Sequence, residues 1–259
     1  MESTLLAKPR FAVEGYEGPR GAHLYRAVRD SIVLADALPS VTKKLDIIGG
    51  SKTGALMGWA VKEALSQVKT MLLETQETGP VQVDAELIDK VVAAGRKRPG
   101  AVKDAAADLG TRVHGLIDEW IIQGYTRSLA EDEKVAFGNF LDFVRDMGLK
   151  FVSGDLAVAS LRRKYGGRMD ALAISRGKVV LLDWKTSNAI RNDYALQVAG
   201  YRMALEETYG IRADRAMVVR FDKVDPKVLD YREVALGQAT KTWNALVKFE
   251  AEYGKEVWK

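Results

Sequence analysis

Two carboxylates and one amine stand at a spacing that could do chemistry in this chain. They are Asp170, Asp183 and Lys185, and they fall in or next to two apolar-rich runs, Arg168–Ile174 and Val179–Trp184. A short polar break that contains a glycine separates the runs, which is the pattern of a β-hairpin. This hairpin must therefore position the three side chains.

The length of the turn decides whether the two aspartates meet. If the loop consists of Arg176 and Gly177, or of the four residues around them, Asp170 falls directly opposite Asp183. A three-residue loop would instead send the two side chains to opposite faces of the sheet. Facing residues have Cβ atoms about 5 Å apart, and two like charges so close destabilise a sheet unless a cation lies between them.

The alternation of side chains along a strand assigns the neighbouring residues to faces. Lys185 shares the face of Asp183, whereas Trp184 points the other way into a core. Two carboxylates and an ammonium suit a site for Mg²⁺ or Mn²⁺ rather than zinc. The alternative is that Asp183 and Lys185 are solvated polar residues at a strand end. We favour the metal site because both faces of the hairpin are otherwise apolar, and buried charges need a partner.

The motifs around the hairpin resemble those of the PD-(D/E)XK nuclease superfamily, and in particular its RecB-like and phage-type exonuclease branch. The family pattern is Gly-x-x-Asp, a hairpin, acidic-x-Lys and then Gln-x-x-x-Tyr on the next helix, with Gly-x-x-x-His upstream. The chain matches this pattern in order at Gly167–Asp170, Asp183–Lys185, Gln197–Tyr201 and Gly110–His114. The resemblance therefore covers residues 110–201.

The resemblance implies an α/β fold with a restriction-endonuclease-like αβββαβ core. In that core a central mixed β-sheet is flanked by helices, and here a helical N-terminal elaboration precedes it. Hydrophobic periodicity predicts the same order of elements. The predicted elements are a helix at Glu131–Met147, a strand at Leu156–Lys164, the hairpin, a helix capped by Asn192 or Asp193 and ended by Gly210, and a strand at Ala216–Phe221.

We expect one compact domain with two regions. Residues 1–105 are predicted to form a mainly helical N-terminal cap region, with a strand or two around His23–Val33, and residues 106–259 the nuclease core. The segment Gly95–Gly100 has the composition of an exposed linker between them. A further break is predicted at Gly79–Pro80.

The resemblance also implies roles for individual residues. Asp170, Asp183, His114 and the backbone carbonyl of Trp184 are expected to bind one or two Mg²⁺ or Mn²⁺ ions. Lys185 is expected to orient or deprotonate the attacking water, helped by a pKa lowered by the nearby cation. Asp170, Asp183 and Lys185 are thus the expected catalytic residues.

Further residues are expected to contact DNA or to help at the metal site. A basic cluster leads into the hairpin, and such clusters favour phosphate contacts. The expected DNA contacts are Gln197, Tyr201, Arg168, Arg163, Lys164 and Ser187, and the candidate helpers are Asp118, Glu119 and Asp155. A plainer interpretation of Gln197 and Tyr201 is a polar pair on an amphipathic helix.

The activity predicted from these features is that of a metal-dependent DNA exonuclease, which hydrolyses phosphodiester bonds in recombination, repair or phage DNA processing. Two alternatives are an endonuclease of the same fold and a catalytically inactive DNA-binding module. Inactive members typically lose an aspartate or the lysine, and this chain keeps all three.

Composition limits the class of protein and its partners. The 259 residues carry 39 Lys and Arg against 35 Asp and Glu, a formal charge of +4 that is compatible with DNA as a partner. Without cysteine, the chain cannot carry the four-cysteine iron-sulfur cluster of some RecB-like relatives. No apolar run is long enough for a membrane span, and the N-terminus lacks a secretion signal. We expect a cytoplasmic protein of a bacterium or phage-infected cell, with a recombination or replication protein as a further partner.

Overall fold

A computed structural model describes residues 6, 8–48, 50–77, 84–223, 225 and 229–253. The chain divides into two compact units. One consists of Met1–Ile47 together with Arg112–Lys259, and the other of Ile48–Thr111. No helix in the described ranges is long and apolar enough to cross a membrane.

A three-stranded antiparallel sheet begins the larger unit. Its strands are β1 (Ala12–Glu17), β2 (His23–Arg29) and β3 (Ile32–Pro39), in that order in the sheet. The sequence predicted a strand or two in this region, and the structure has three. Tyr25 and Leu38 of this sheet are buried with Ala159, so the small sheet shares a core with the rest of the unit.

A short helix, α1 (Val41–Lys44), follows β3 and continues as a 3-10 turn at Leu45–Ile48. It begins where it does because the Ser40 side chain accepts a hydrogen bond of 3.0 Å from the backbone N–H of Lys43. Val41 is fully buried and belongs to the main core. The helix thereby connects the small sheet to the main core of the larger unit.

The smaller unit consists of α2 (Gly50–Glu77) and the first part of α3 (Ala85–Gln123). The predicted linker at Gly95–Gly100 is wrong, because these residues lie inside α3, with Pro99 in the helix. Gly95 has a packing role: an added Cβ would lie 3.0 Å from Val68 and 3.1 Å from the carbonyl oxygen of Ala64. Lys and Arg residues between Gly95 and Pro99 are good helix formers, which helps the helix continue.

Two predictions about this region are not decided by the described structure. The boundary predicted between residues 105 and 106 lies within α3 and stays a prediction. The break predicted at Gly79–Pro80 lies outside the described residues.

The main sheet of the larger unit has five strands in the order β4-β5-β6-β7-β8. Neighbouring strands are antiparallel except β6 and β7, which are parallel, so the sheet is mixed. The order of elements confirms the predicted αβββαβ core. The elements are α4 (Lys134–Met147), β4 (Lys150–Ser160), β5 (Tyr165–Ser175), β6 (Lys178–Lys185), α5 (Asn192–Tyr209), β7 (Arg215–Phe221), β8 (Leu229–Glu233) and α6 (Leu236–Tyr253).

Aromatic side chains build the core between α4 and the sheet. Trp184 is fully buried, and its ring centroid lies 5.7 Å from that of Phe140 and 5.6 Å from that of Phe221. This confirms that Trp184 points into a core. A second apolar cluster joins strands of the sheet to α5 and α6, with Val198 and Trp243 among its buried members. The sheet is therefore covered by helices.

The ends of α5 test two local predictions. The helix begins at Asn192, and its N-cap is Arg191 without a side-chain hydrogen bond, so the predicted capping by Asn192 or Asp193 is wrong. Asp193 accepts a hydrogen bond from Nε of Arg191 instead. The predicted end at Gly210 is confirmed, because this glycine has a φ of 74°, a left-handed conformation that favours glycine.

Candidate active site

The β5–β6 turn sets the register that brings the two aspartates together. Its loop is the two residues Arg176 and Gly177, whose φ angles of 49° and 74° are those of a type I′ hairpin turn. The ladder runs from Ser175–Lys178 to Ala171–Leu182. Asp170 and Asp183 are the next residues in this register, as predicted for a two-residue loop.

The ladder between β5 and β6 ends at these aspartates because a side chain replaces the backbone partner. The backbone N–H of Trp184 donates a hydrogen bond of 2.6 Å to Oδ2 of Asp170. β6 continues to pair with β7 as far as Lys185, and β5 continues to pair with β4. The two strands therefore separate at Asp170 and Asp183. Together with Lys185, these two residues form the fork.

Lys185 lies directly beside Asp183. Its Nζ is 2.5 Å from Oδ2 of Asp183, whose side chain is only 1% exposed. The same ammonium lies 4.9 Å from the centroid of the Tyr194 ring, a cation–π contact. The sequence analysis did not single out Tyr194; its position one turn before Gln197 on α5 is the signal that could have found it.

His114 reaches the fork from α3. Its Nδ1 lies 3.5 Å from Oδ1 of Asp170. Burial on its own lowers the pKa of His114, but the hydrogen bond and the charge of Asp170 outweigh it and raise this pKa above its usual value. The structure therefore brings together His114, Asp170, Asp183 and Lys185.

Their surroundings shift the pKa values of the two aspartates in opposite directions. Burial favours the neutral form of Asp170, but the hydrogen bond and charge of His114 and the charge of Lys185 outweigh it and lower the pKa of Asp170. Burial and the charge of Asp170 raise the pKa of Asp183, in spite of Lys185. Asp183 is therefore the carboxylate that takes up a proton first as the pH falls.

The groups of the protein alone raise the pKa of Lys185. Burial on its own lowers it, but the charges of Asp183 and Asp170 outweigh burial and raise it above its usual value. The lowering expected from a bound cation stays a prediction. In this pair the amine is held protonated.

Asp118 and Asp155 lie at the edge of the site. Burial, followed by the charges of Asp155 and Asp170, raises the pKa of Asp118 to about 7. Asp155 pairs with Arg168, whose Nε donates a hydrogen bond of 2.6 Å to it. Arg168, an expected DNA contact, is about half exposed and held by this carboxylate.

Gln197 and Tyr201 pack behind the fork. Nε2 of Gln197 donates a hydrogen bond of 3.0 Å to the hydroxyl of Tyr201, and both residues are buried. Burial, and then the charge of Asp183, raises the pKa of Tyr201. An added Cβ at Gly167 would lie 2.5 Å from the Tyr201 ring, so glycine is required there. Their predicted contacts with DNA stay predictions.

Four other candidate residues lie elsewhere or make other contacts. Glu119 accepts a hydrogen bond of 3.4 Å from the backbone N–H of Arg127, in the loop after α3. Ser187, two residues beyond Lys185, donates to the carbonyl of Ala189. Arg163 and Lys164 occupy the β4–β5 turn, seven and six residues before Asp170, which corresponds to about 20 Å or more along a strand. The contacts of Glu119 and Ser187 named here involve neither Asp170 nor Asp183.

Arg220 is a buried charge near the site that the sequence analysis did not single out. It pairs with Lys185 in the parallel register of β6 and β7, and it forms an ion pair of 2.9 Å with Asp222. Its Nε has no hydrogen-bond partner among the described residues. A charged residue at the end of an otherwise apolar strand is the signal that could have found it.

The donor groups at the fork are of the types that bind divalent metal ions. Two carboxylates and an imidazole provide the oxygen-rich chemistry that Mg²⁺ and Mn²⁺ prefer. Oδ2 of Asp183 is buried and lies 2.5 Å from Nζ of Lys185, so a bound cation would share this oxygen with Lys185. In the described part of the chain, no three His, Asp or Glu side chains already converge as a metal cage. The residue types fit a divalent cation, and the metal-binding roles stay predictions.

Comparisons with known proteins identify the family of this chain. A family model described as the PD-(D/E)XK nuclease superfamily matches residues 50–253 of this chain. No curated protein matches the chain. Among solved structures it is similar to a "Putative exonuclease" from Eubacterium rectale, with 12% identity and a TM-score of 0.39 over 56% of this chain and 65% of that one.

A second similar structure is an alkaline exonuclease, LHK-Exo, from Laribacter hongkongensis. The identity is 12% and the TM-score 0.30, over 57% of this chain and 87% of that one. The chain spans less than two thirds of the length of the Eubacterium rectale protein. The family match, which covers most of the chain, is the stronger of these findings.

Proposed function

The chain belongs to the PD-(D/E)XK nuclease superfamily, and on that premise we propose that it is a metal-dependent DNA exonuclease of the RecB-like or phage-type branch. The observation that supports this most is the fork at which Asp170, Asp183 and Lys185 lie together. Its substrate would be the phosphodiester backbone of DNA, and its role recombination, repair or phage DNA processing.

The cation site is the first part of this proposal. Asp170, Asp183, His114 and the backbone carbonyl of Trp184 would hold one or two divalent cations, Mg²⁺ or Mn²⁺, which superfamily members generally use. When bound, such a cation supplies neutralisation of the charge that develops on the phosphodiester and lowers the pKa of a bound water. The position of Asp170 between His114 and the backbone N–H of Trp184 supports this assignment.

Lys185 is the residue that we assign to the attacking water. Its ammonium is held at the fork by Asp183 and by the ring of Tyr194. In the metal-free protein both carboxylates raise its pKa, so its ammonium would orient the water or stabilise developing charge. With a cation bound beside it, a lowered pKa would let it deprotonate the water instead.

The remaining residues are assigned to DNA binding or to support of the site. Arg168, half exposed beside Asp155, would contact a phosphate at the edge of the site. Gln197 and Tyr201 form a buried pair that supports the wall next to Gly167. We therefore assign DNA contact to Arg168 first, and a positioning role to the pair.

A digestion experiment tests the activity. Closed circular plasmid and linear duplex are incubated with the full chain and Mg²⁺, beside the variants Lys185→Ala and Lys178→Ala. Both lysines lie on β6, but Lys178 is exposed at its beginning, so it is a matched control. An exonuclease degrades the linear duplex and leaves the circle intact. Lys185→Ala should lower the rate about 10²- to 10⁴-fold, and Lys178→Ala should leave it unchanged.

The same experiment separates the alternatives. Nicking of the closed circle that is lost in Lys185→Ala would identify an endonuclease of the same fold. If both substrates stay whole with Mg²⁺ and with Mn²⁺ while DNA still binds, the chain is an inactive DNA-binding module. Equal activity of wild type and Lys185→Ala would overturn the assignment of Lys185.

A further inference from the structure

An arginine-lined cavity lies apart from the acidic fork. It has a volume of about 390 Å³ and lies between the β4–β5 turn, the end of α5 and α6. An adjoining cavity of about 500 Å³ shares Arg202 and Thr240 with it. The guanidinium groups that line the first cavity are those of Arg10, Arg162, Arg163 and Arg202, and its carboxylates are those of Glu206 and Glu207.

One of these arginines is already neutralised. Arg163 forms an ion pair of 2.9 Å with Glu207, and its Nε donates a hydrogen bond of 2.8 Å to Asn244. Besides the pair of Arg163 and Glu207, the lining carries three guanidinium groups, of Arg10, Arg162 and Arg202, against one further carboxylate, that of Glu206. The cavity therefore has an excess of positive charge.

Arg202 is the most unusual of the three because it is buried. It is 9% exposed, and its Nε donates a hydrogen bond of 3.1 Å to the carbonyl of Ala213. Burial, and then the charge of Arg212, lowers its pKa. The charges of Glu206 and Asp214 oppose this lowering without reversing it, so a further anion in the cavity would stabilise the Arg202 cation.

Two further features shape the cavity for a ligand. The hydroxyl of Thr240, which lines both cavities, is buried without a hydrogen-bond partner in the described part of the chain. The Arg10 guanidinium packs over Gly210, where an added Cβ would lie 2.8 Å from it. A neutral donor and a positioned guanidinium are therefore available beside Arg202.

We propose that this cavity is a binding site for a phosphate group. Guanidinium groups present paired N–H donors that match phosphate oxygens, and they remain charged at neutral pH. The ligand is a phosphodiester of nucleic acid or a free phosphate or phosphate monoester, which share this chemistry. The proposal does not depend on nuclease activity, since the cavity uses none of the residues of the fork.

Calorimetric titration of the full chain tests the proposal. The titrations are done in EDTA at constant ionic strength with inorganic phosphate, deoxyadenosine monophosphate and a single-stranded oligonucleotide without terminal phosphates. The exposed pair Arg10→Gln and Arg162→Gln is combined in one variant. Arg145→Gln on α4 removes one exposed positive charge elsewhere and serves as the control.

We expect wild type to bind phosphate, and the double variant to bind it about tenfold more weakly or worse, because each charged hydrogen bond lost is of that order. The control should bind it as wild type does. Arg202→Met adds a second readout. It should leave the thermal midpoint equal or higher, because it removes a buried charge, while phosphate should no longer raise that midpoint.

Each outcome decides the proposal. Absence of phosphate binding, binding kept in the double variant, or the same loss in Arg145→Gln would overturn it. If Arg202→Met does not fold, the double variant decides alone. If the oligonucleotide also binds more weakly to the double variant than to the control, the source is the nucleic acid backbone. A loss confined to phosphate and the monophosphate identifies a free phosphate ligand.

Discussion

The backbone N–H of Trp184 is bound to the side chain of Asp170, at 2.6 Å from Oδ2. The other oxygen of this carboxylate lies 3.5 Å from His114. Asp170 therefore connects β5 to β6 and to α3, and it holds the two strands at the point where they part. Asp170 is both a backbone acceptor and a proposed metal ligand. A change at this residue should therefore affect both the stability of the hairpin end and the proposed hydrolysis.

Asp170→Asn should affect stability and activity together. The amide keeps an acceptor for Trp184 but loses the charge that strengthens this bond and attracts His114, so we expect a loss of about 1–3 kcal/mol in the free energy of unfolding. Urea unfolding without metal measures it, and linear-duplex digestion should show a rate lowered at least about 100-fold. Asp142→Asn, an exposed change on α4, should change neither; full activity in Asp170→Asn would contradict the metal assignment.

Mn²⁺ should raise the thermal midpoint of the wild-type chain. Binding to the folded state at a hundredfold excess over Kd adds about 2.7 kcal/mol, or about 5–10 °C for a chain of this size. Asp183→Asn should remove most of this response because it removes a proposed ligand. Glu233→Gln, an exposed change on β8, should keep it; a full Mn²⁺ response in Asp183→Asn would sink the cation site.

Gly167→Ala should disturb the wall of the site. The new Cβ would lie 2.5 Å from the Tyr201 ring, so overpacking should cost about 1–3 kcal/mol and displace the pair formed by Tyr201 and Gln197. The thermal midpoint and the rate of digestion should both fall.

Gly138→Ala is the matched control for that change. Gly138 lies within α4, and an added Cβ would meet no atom within 4 Å. The better helix propensity of alanine should raise stability by about 0.5–1 kcal/mol, with unchanged digestion. If Gly167→Ala raised stability as Gly138→Ala is expected to, the contact with Tyr201 would not require a glycine at position 167.

Glu133→Gln should change the dependence of stability on pH. Hydrogen bonds from Arg127, the backbone N–H of Ala130 and Arg112 hold the pKa of the buried Glu133 at about 2, against its burial. Because the folded pKa is lowered, the ionised group contributes stability above its ordinary pKa of about 4.5, and this contribution is lost as the pH falls towards 2.

The expected result for Glu133→Gln is a loss of about 2 kcal/mol at pH 7, which shrinks to nothing near pH 2. Urea unfolding across this range measures it. Glu131→Gln removes a nearby, exposed carboxylate and should change stability by less than about 0.5 kcal/mol at every pH. Parallel curves for wild type and Glu133→Gln would refute the assigned role of the ion pairs.

Local patterns succeeded where local geometry is sufficient. The two-residue loop Arg176–Gly177 specifies the register of the hairpin, and the αβββαβ order follows from the spacing of apolar runs. The linker predicted at Gly95–Gly100 failed because glycine and proline were interpreted as breaks. Contacts of Gly95 with Ala64 and Val68, which are distant in sequence, place it within a helix.

By itself, the sequence determined that Asp170, Asp183 and Lys185 share one face, because strand alternation and a two-residue turn act over a few neighbouring residues. Only the tertiary structure decided which groups that are distant in sequence lie next to these residues and which do not. His114 meets Asp170 from α3, while Arg163 turns to Glu207 on α5. Such contacts depend on how whole elements pack, and that packing sums many weak interactions that no short stretch of sequence encodes.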